Sequence, residues 1–187
     1  MPDPLLRPLV PADLDETVAM QCRAMAELGR THYSPDQIAV LLAATREPDY
    51  PGALLGNDVW VAVGATGAIL GSAGWGLAGW DSAGWGSAGW GSAGWAAVAG
   101  GQPPTGRIRK VFVEPGLAGR GLGRRLVEAA EARAGAAGCR GFVVRANLNA
   151  VPFYRRLGYR VTGPGAMAAG GREVPMTMME KPVETAS

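Results

Sequence analysis

The spacing of apolar positions changes several times along the chain, and each change predicts an element. Residues 5–10 (LLRPLV) read as a short first strand. In DLDETVAMQCRAMAEL, Leu14, Val18, Met25 and Leu28 recur at helical spacing. Pro11 supplies the helix start, and Asp13, Asp15 and Glu16 suit the positive end of its dipole. Ser34-Pro35-Asp36-Gln37 is an N-cap followed by proline, which opens a second helix through QIAVLLAA. DVWVAV, residues 58–63, alternates like a strand. Residues 64–67 form a turn, and AILGSAGW returns as the hairpin partner.

The second half alternates strand and helix. RIRKVFV (107–113) is a strand after the loop 96–106, and 121–137 is a helix that Gly138 ends. Leu122, Leu126 and Ala130 line one face of that helix, with Arg124, Arg125, Glu128 and Glu131 mostly elsewhere. GFVVRA (141–146) is a nearly continuous apolar strand, VPFYRRLGY a short helix and its exit, and 173–181 a last alternating strand. The order β-α-α-β-β-β-α-β-α-β-β predicts an α/β fold: one mixed sheet of about seven strands with about four helices on its two faces. A single domain over residues 4–182 and a loose tail at 183–187 follow.

One segment fits neither period. Residues 71–95 read GSAGW GLAGW DSAGW GSAGW GSAGW, five pentads holding five of the six tryptophans and one charge, Asp81. A period of five sends successive tryptophans to opposite sides of a strand, and the glycines weaken helix and strand alike. The segment reads as a repeat insertion made by duplicating a strand end or a hairpin loop. A surface loop, a wall of the acceptor site and a contact with a second subunit are its candidate roles.

Charge adds an asymmetry. The net charge is +2, but residues 1–100 carry 4 Lys+Arg against 10 Asp+Glu, and residues 101–187 carry 14 against 6. An acidic half suits a cationic partner and a basic half an anionic one. No run of about 18 apolar residues suggests a membrane span, and MPDPLLRPLV lacks the features of a signal peptide. There is no basic tail and no zinc-finger or RNP motif, so neither nucleic acid nor membrane is an expected partner. Cys22 and Cys139 have no metal or redox spacing; two reduced thiols, no metal and a cytoplasmic location are expected.

The stretch VEPGLAGRGLGRRLVEAAEA, 113–132, carries the chemistry. Gly119, Gly121 and Gly123 follow a strand and open a helix. A helix start leaves backbone N–H groups without partners and holds about half a positive charge, and glycine lets an anion come close. With Arg120, Arg124 and Arg125 nearby, the segment reads as a phosphate cradle. A Walker loop would need Gly-Lys-Ser/Thr, which is absent. A dinucleotide fingerprint would need a third glycine where Arg124 stands and an acid about 20 residues on, yet 138–150 contains no Asp or Glu.

VFVEPGLAGRGLGRRLVEAA (111–130) and ANLNAVPFYRRLGY (146–159) together resemble the GNAT superfamily of acyl-CoA N-acyltransferases. The shared features are V-x-P ending a strand, a G-x-G/A opening a helix, an Asn and a Tyr seven residues apart, and L-G-F/Y. The resemblance is strong over 107–181 and looser over 4–106. HYSPDQIA and GSAGW also look like segments of one bacterial branch. It implies a largely antiparallel sheet of the GNAT type and acetyl-CoA as cosubstrate. It implies that Val111, Phe112 and Val113 bind the pantetheine arm and the acetyl carbonyl. Gly119, Arg120, Gly121, Leu122, Gly123 and Arg124 would bind the pyrophosphate, and Asn147 and Asn149 would contact the pantetheine. Tyr154 would lie near the thioester sulfur. Ala118 replaces the Arg or Gln that usually opens the phosphate motif, and Arg120 or Arg124 would compensate.

The reaction so implied is attack of an amine on a thioester. A thiol leaves with a pKa near ~8.5, and tyrosine sits near ~10, so Tyr154 suits the general acid; plain core packing beside Phe153 and Leu157 suits it too. A lysine-type amine must shed roughly 3.4 pK units, about 4.6 kcal/mol, to attack at pH 7, whereas an α-amine needs about 1 unit. Arg107 stands where many members of the family place a Glu base. Glu114 is a weak candidate for the base, His32 and a relaying water are others. The expected activity is acetyl transfer to a primary amine, most readily on a small molecule, by direct attack in a ternary complex. The alternatives are a non-catalytic acyl-CoA sensor and an interaction protein that uses the Trp repeat. Dimers are common in families of this appearance, so a homodimer is an expected assembly.

Overall fold

The chain runs β1 (Leu5–Pro8), α1 (Leu14–Gly29), α2 (Pro35–Ala44), α3 (Asp49–Leu55), β2 (Asp58–Val63), β3 (Ile69–Leu77), β4 (Gly106–Val113), α4 (Leu122–Ala136), β5 (Gly141–Asn147), α5 (Val151–Arg156), β6 (Arg160–Ala169) and β7 (Arg172–Pro182). The structure is a computed structural model and describes residues 3–78, 104–169 and 171–182. The seven strands form one sheet in the order β1-β2-β3-β4-β5-β7-β6. Every neighbouring pair is antiparallel except β4 and β5, which are parallel. The mixed, largely antiparallel α/β sheet is thus the expected one.

Two cores flank it. On one face α4 and α5 bury Leu122, Leu126, Val127, Tyr154 and Leu157 against Ile108 and Val144. On the other, α1 and α2 bury Met25, Leu41 and Ala44 against Val174 and Met176. The caps follow the sequence. Ser34 and Gln37 close a reciprocal capping box at the start of α2. At the end of α4, Cys139 N–H donates to Ala134 and Gly138 N–H to Gly135, the Schellman pattern.

Three readings change. The sequence suggests about four helices, and the described residues form five: α3 lies in EPDYPGALLG, whose prolines and glycines conceal it. It forms because Tyr50 and Leu54 are fully buried against Val59, Leu9, Leu14 and Val18, so packing overrides weak propensity. Glu131 is not on the wet side of α4; it is buried, accepting from the Tyr159 hydroxyl at 2.8 Å and from Lys181 Nζ at 2.6 Å. The first pentad, 71–75, is no insertion: it is the middle of β3, paired with β2 and β4. The pentads from residue 79 onward and the tail 183–187 lie outside the described residues.

Candidate active site

The parallel pairing of β4 and β5 is short. It covers Gly106 to Ile108 opposite Phe142 to Val144 and then stops, although β4 runs on to Val113 and β5 to Asn147. From Arg109 onward β4 keeps β3 on one side and, among the described residues, has no strand partner on the other, so the sheet opens there.

A bulge shapes the same stretch of β4. Pairing with β3 shifts between Ser72 and Gly74, and Lys110 takes a left-handed φ of 56°. A buried relay holds it: Tyr50 Oη donates to Gln21 Oε1, Gln21 Nε2 donates to Ser72 Oγ at 3.1 Å, and Ser72 Oγ donates to the Lys110 carbonyl at 2.8 Å. The Lys110 ammonium stands 3.6 Å above the Tyr50 ring.

Past the bulge, a tight turn enters α4. Gly121 is its N-cap residue, at φ +87°, and no side chain caps the helix. Only glycine holds such a φ without strain, and it turns the first amides of α4 outward. Among the described residues, the N–H groups of Gly119, Gly121, Leu122, Gly123 and Arg124 meet no backbone acceptor.

Two cavities meet at the split. One, of about 540 Å³, is lined by Val111, Phe112, Val113, Gly119, Gly121, Gly123, Arg124, Asn147 and Asn149. The other, of about 550 Å³, lies on the α2–α3 side and is lined by Tyr50, Arg107, Arg109, Lys110 and Arg145 among others. Asn147 and Tyr154 line both, so Tyr154 stands where they join. Its ring is wedged edge-on between Phe153 and Tyr159, at 5.0 and 5.3 Å. Burial, and then the charge of Glu131, holds its hydroxyl far above the ordinary phenol value, so it stays protonated.

The residues singled out from sequence thus gather on one cleft, with three qualifications. Leu122 offers only its amide, because its side chain is core. Arg120 is exposed and lines neither cavity, whereas Arg124 lines the first while pairing with Glu128 at 3.4 Å. Glu114 is clamped by Arg23, at 2.8 Å to one nitrogen and 3.2 Å to another, and ties α1 to the end of β4. His32 is exposed at the cleft rim beside Thr31.

Other contributors escape a reading by motif. Tyr33 accepts from Leu148 N–H at 2.9 Å and donates to the Pro175 carbonyl at 3.0 Å, which holds the turn carrying Asn149. The basic side chains of the second cavity carry a faint signal in RIRKV: Arg107 and Arg109 share a strand face with the apolar Ile108 between them. Burial, then the charges of Arg109, Arg107 and Arg145, pulls the Lys110 ammonium down to about 7.

An open sheet seam thus lies over a run of amides that meet no backbone acceptor, with the Tyr154 phenol where the two cavities join. A family model described as an acetyltransferase (GNAT) domain matches residues 91–180. A GCN5-related N-acetyltransferase from Rhodopseudomonas palustris is 26% identical, with 97% of each chain covered and a TM-score of 0.76. The PaiA N-acetyltransferase from Thermoplasma acidophilum, solved with coenzyme A, is 15% identical over 95% of this chain and 98% of that one, at TM-score 0.65. A phosphinothricin acetyltransferase from Sinorhizobium meliloti, solved with AcCoA, is 18% identical over 97% and 89%, at 0.59. The last two share the fold. Comparison with curated proteins finds no match. Residues 91–180 thus match the acetyltransferase (GNAT) family, and the chain shares its fold with these N-acetyltransferases.

Proposed function

We propose that this chain transfers an acetyl group from acetyl-CoA to a primary amine on a small molecule, by direct attack in a ternary complex. The observation that carries the reading is the continuity of the cleft: unclaimed amides at the start of α4 open one cavity, and Tyr154 stands where it meets the second.

The residues present suit acetyl-CoA. The amides of Gly119 and of Gly121 to Arg124 suit a diphosphate. Asn149 Oδ1 is buried without a hydrogen-bond partner and lines the same cavity, which suits an amide N–H of a pantetheine arm. The unpaired edge of Val111, Phe112 and Val113 and the side chain of Asn147 face it. When bound, acetyl-CoA supplies the activated carbonyl and a thiolate leaving group.

Tyr154 then gives its proton to the departing sulfur and recovers it from solvent. The phenol is protonated whenever the thiolate forms, so it can meet the charge growing on sulfur, while its raised value makes it a weaker acid than an ordinary tyrosine. Glu114, neutralised by Arg23, is assigned the role of bracing α1 rather than that of base. Burial, and then the nearby guanidinium charges, lower Lys110, and both act likewise on an amine entering the second cavity, which eases loss of its proton to water. A thiol-release assay with acetyl-CoA and an amine panel tests the reading. Tyr154→Phe should lower kcat by about 10²–10⁴-fold while leaving coenzyme affinity within about twofold. An unchanged kcat would remove Tyr154 from the acid's role.

A further inference from the structure

The second cavity carries more information than its position. Arg107 pairs with Val143 across the parallel ladder. Arg109 lies two residues after Arg107, and Arg145 two after Val143, so strand alternation puts all three on one face. That face is opposite the one Ile108 presents to α4. Lys110 joins them through the bulge. Asn57 braces the Arg109 head at 2.7 Å, and the Ala166 carbonyl braces that of Arg145 at 3.1 Å.

Among the described lining residues the one acid is Asp49. The sequence from 79 to 103 holds a single further charge, Asp81. Cations therefore outnumber acids in this cavity even if Asp81 faces it. Like charges gathered in a partly enclosed site raise one another's energy; Lys110, lowered first by burial, is lowered further by Arg109, Arg107 and Arg145. An anion relieves that cost, and guanidinium groups match planar oxyanions with paired hydrogen bonds. Met25, Leu41, Met167 and Met176 supply an apolar wall.

We infer that the acceptor is an amine that also bears an oxyanion, such as a carboxylate, and that Arg107, Arg109, Lys110 and Arg145 form the subsite for that group. The inference rests on the reading of this cleft as an acetyl-transfer site. It also reverses the expectation that an acidic N-terminal half draws in a cationic acceptor, since strands from the basic half build this cavity.

Matched pairs test it: L-alanine, L-leucine, L-phenylalanine and L-glutamate, each against its α-amide. Each pair is titrated calorimetrically onto the full chain and assayed for thiol release with acetyl-CoA. The best acid should exceed its amide by about tenfold or more, in affinity or in kcat/KM. Arg145→Gln should erase most of that preference through KM, Arg145→Lys should restore part of it, and coenzyme A affinity should stay within about twofold in both. If no acid exceeds its amide, or Arg145→Gln leaves the preference intact, the inference fails. If coenzyme A does not bind, the acetyl-transfer reading fails, and the comparison of acids with amides by calorimetry still decides whether the oxyanion subsite exists.

Discussion

Ser72 Oγ donates a 2.8 Å hydrogen bond to the carbonyl of Lys110, across the one place where β3 and β4 slip register. A serine in a repeated pentad therefore fixes the bulge on which the open edge of β4 depends. Ser72 is fully buried and also receives the Gln21 amide. Ser72→Ala should cost about 1–3 kcal/mol, because it leaves a buried donor and a buried acceptor without their partner. Urea melts measure the cost. The KM for acetyl-CoA should rise with it, as the β4 edge loses its fixed course; an unchanged melting curve would mean that the bulge holds without the relay.

Gly121 at φ +87° should tolerate no side chain despite open space around its Cβ position. Gly121→Ala is expected to lose about 1–2 kcal/mol and to weaken coenzyme A binding. Gly116→Ala, at an equally open position without the left-handed φ, serves as the control and should do neither. Calorimetric titration of coenzyme A onto both variants reads the difference.

Lys110 makes stability depend on pH. Its ammonium titrates near 7 in the folded chain and near ~10.4 when unfolded. The unfolded state therefore binds the extra proton between these values, and stability should rise with pH from about 7 to about 10. Arg107, Arg109 and Arg145 face it from β4 and β5, and Tyr50 from α3. Lys110→Met should remove this rise, stabilising the chain most below pH 7. Melting temperatures from pH 6 to pH 9.5 check it, and parallel curves for both proteins would contradict the assignment.

Asp58 gathers three donors: Trp60 Nε1 at 2.9 Å, Trp75 Nε1 at 2.7 Å and Arg133 Nε at 2.6 Å. Burial alone would raise its carboxyl, but the bonds from Arg133, Trp75 and Trp60 outweigh that and hold it below its ordinary value. Its contribution is thus present above the unfolded value near ~3.9 and lost as pH falls through the lower folded one. Asp58→Ala should cost about 1–3 kcal/mol at neutral pH and lose little further stability in acid. Acid-limb unfolding curves of the two proteins make the comparison.

What was legible in the sequence was local. The cradle at Gly119–Gly121 depends on backbone freedom that glycine spells out, and the Ser34 cap and the Gly138 stop are written in adjacent residues. The oxyanion subsite was not legible, because Arg107 and Arg145 lie 38 positions apart and meet only through the β4–β5 ladder. Helix α3 was hidden by Pro51 and Gly52, and its existence depends on what Tyr50 and Leu54 touch. The pentad shows both sides. As a pattern it resembled inserted sequence, yet each position of its first copy is used. A Cβ on Gly71 would sit 2.9 Å from the Phe112 carbonyl oxygen, and one on Gly74 would sit 3.0 Å from that of Asp58. Ser72 holds the bulge, Ala73 is core, and Trp75 anchors on Asp58. Close backbone approach leaves no mark in a single sequence beyond the glycine itself.

The most direct measurement is a structure of the chain with coenzyme A bound, supported by its calorimetric stoichiometry. The account predicts one molecule per chain, with the diphosphate oxygens within hydrogen-bonding distance of the amides of Gly121 to Arg124 and the sulfur beside the Tyr154 hydroxyl. Absence of binding heat, or a diphosphate seated away from the start of α4, would contradict it.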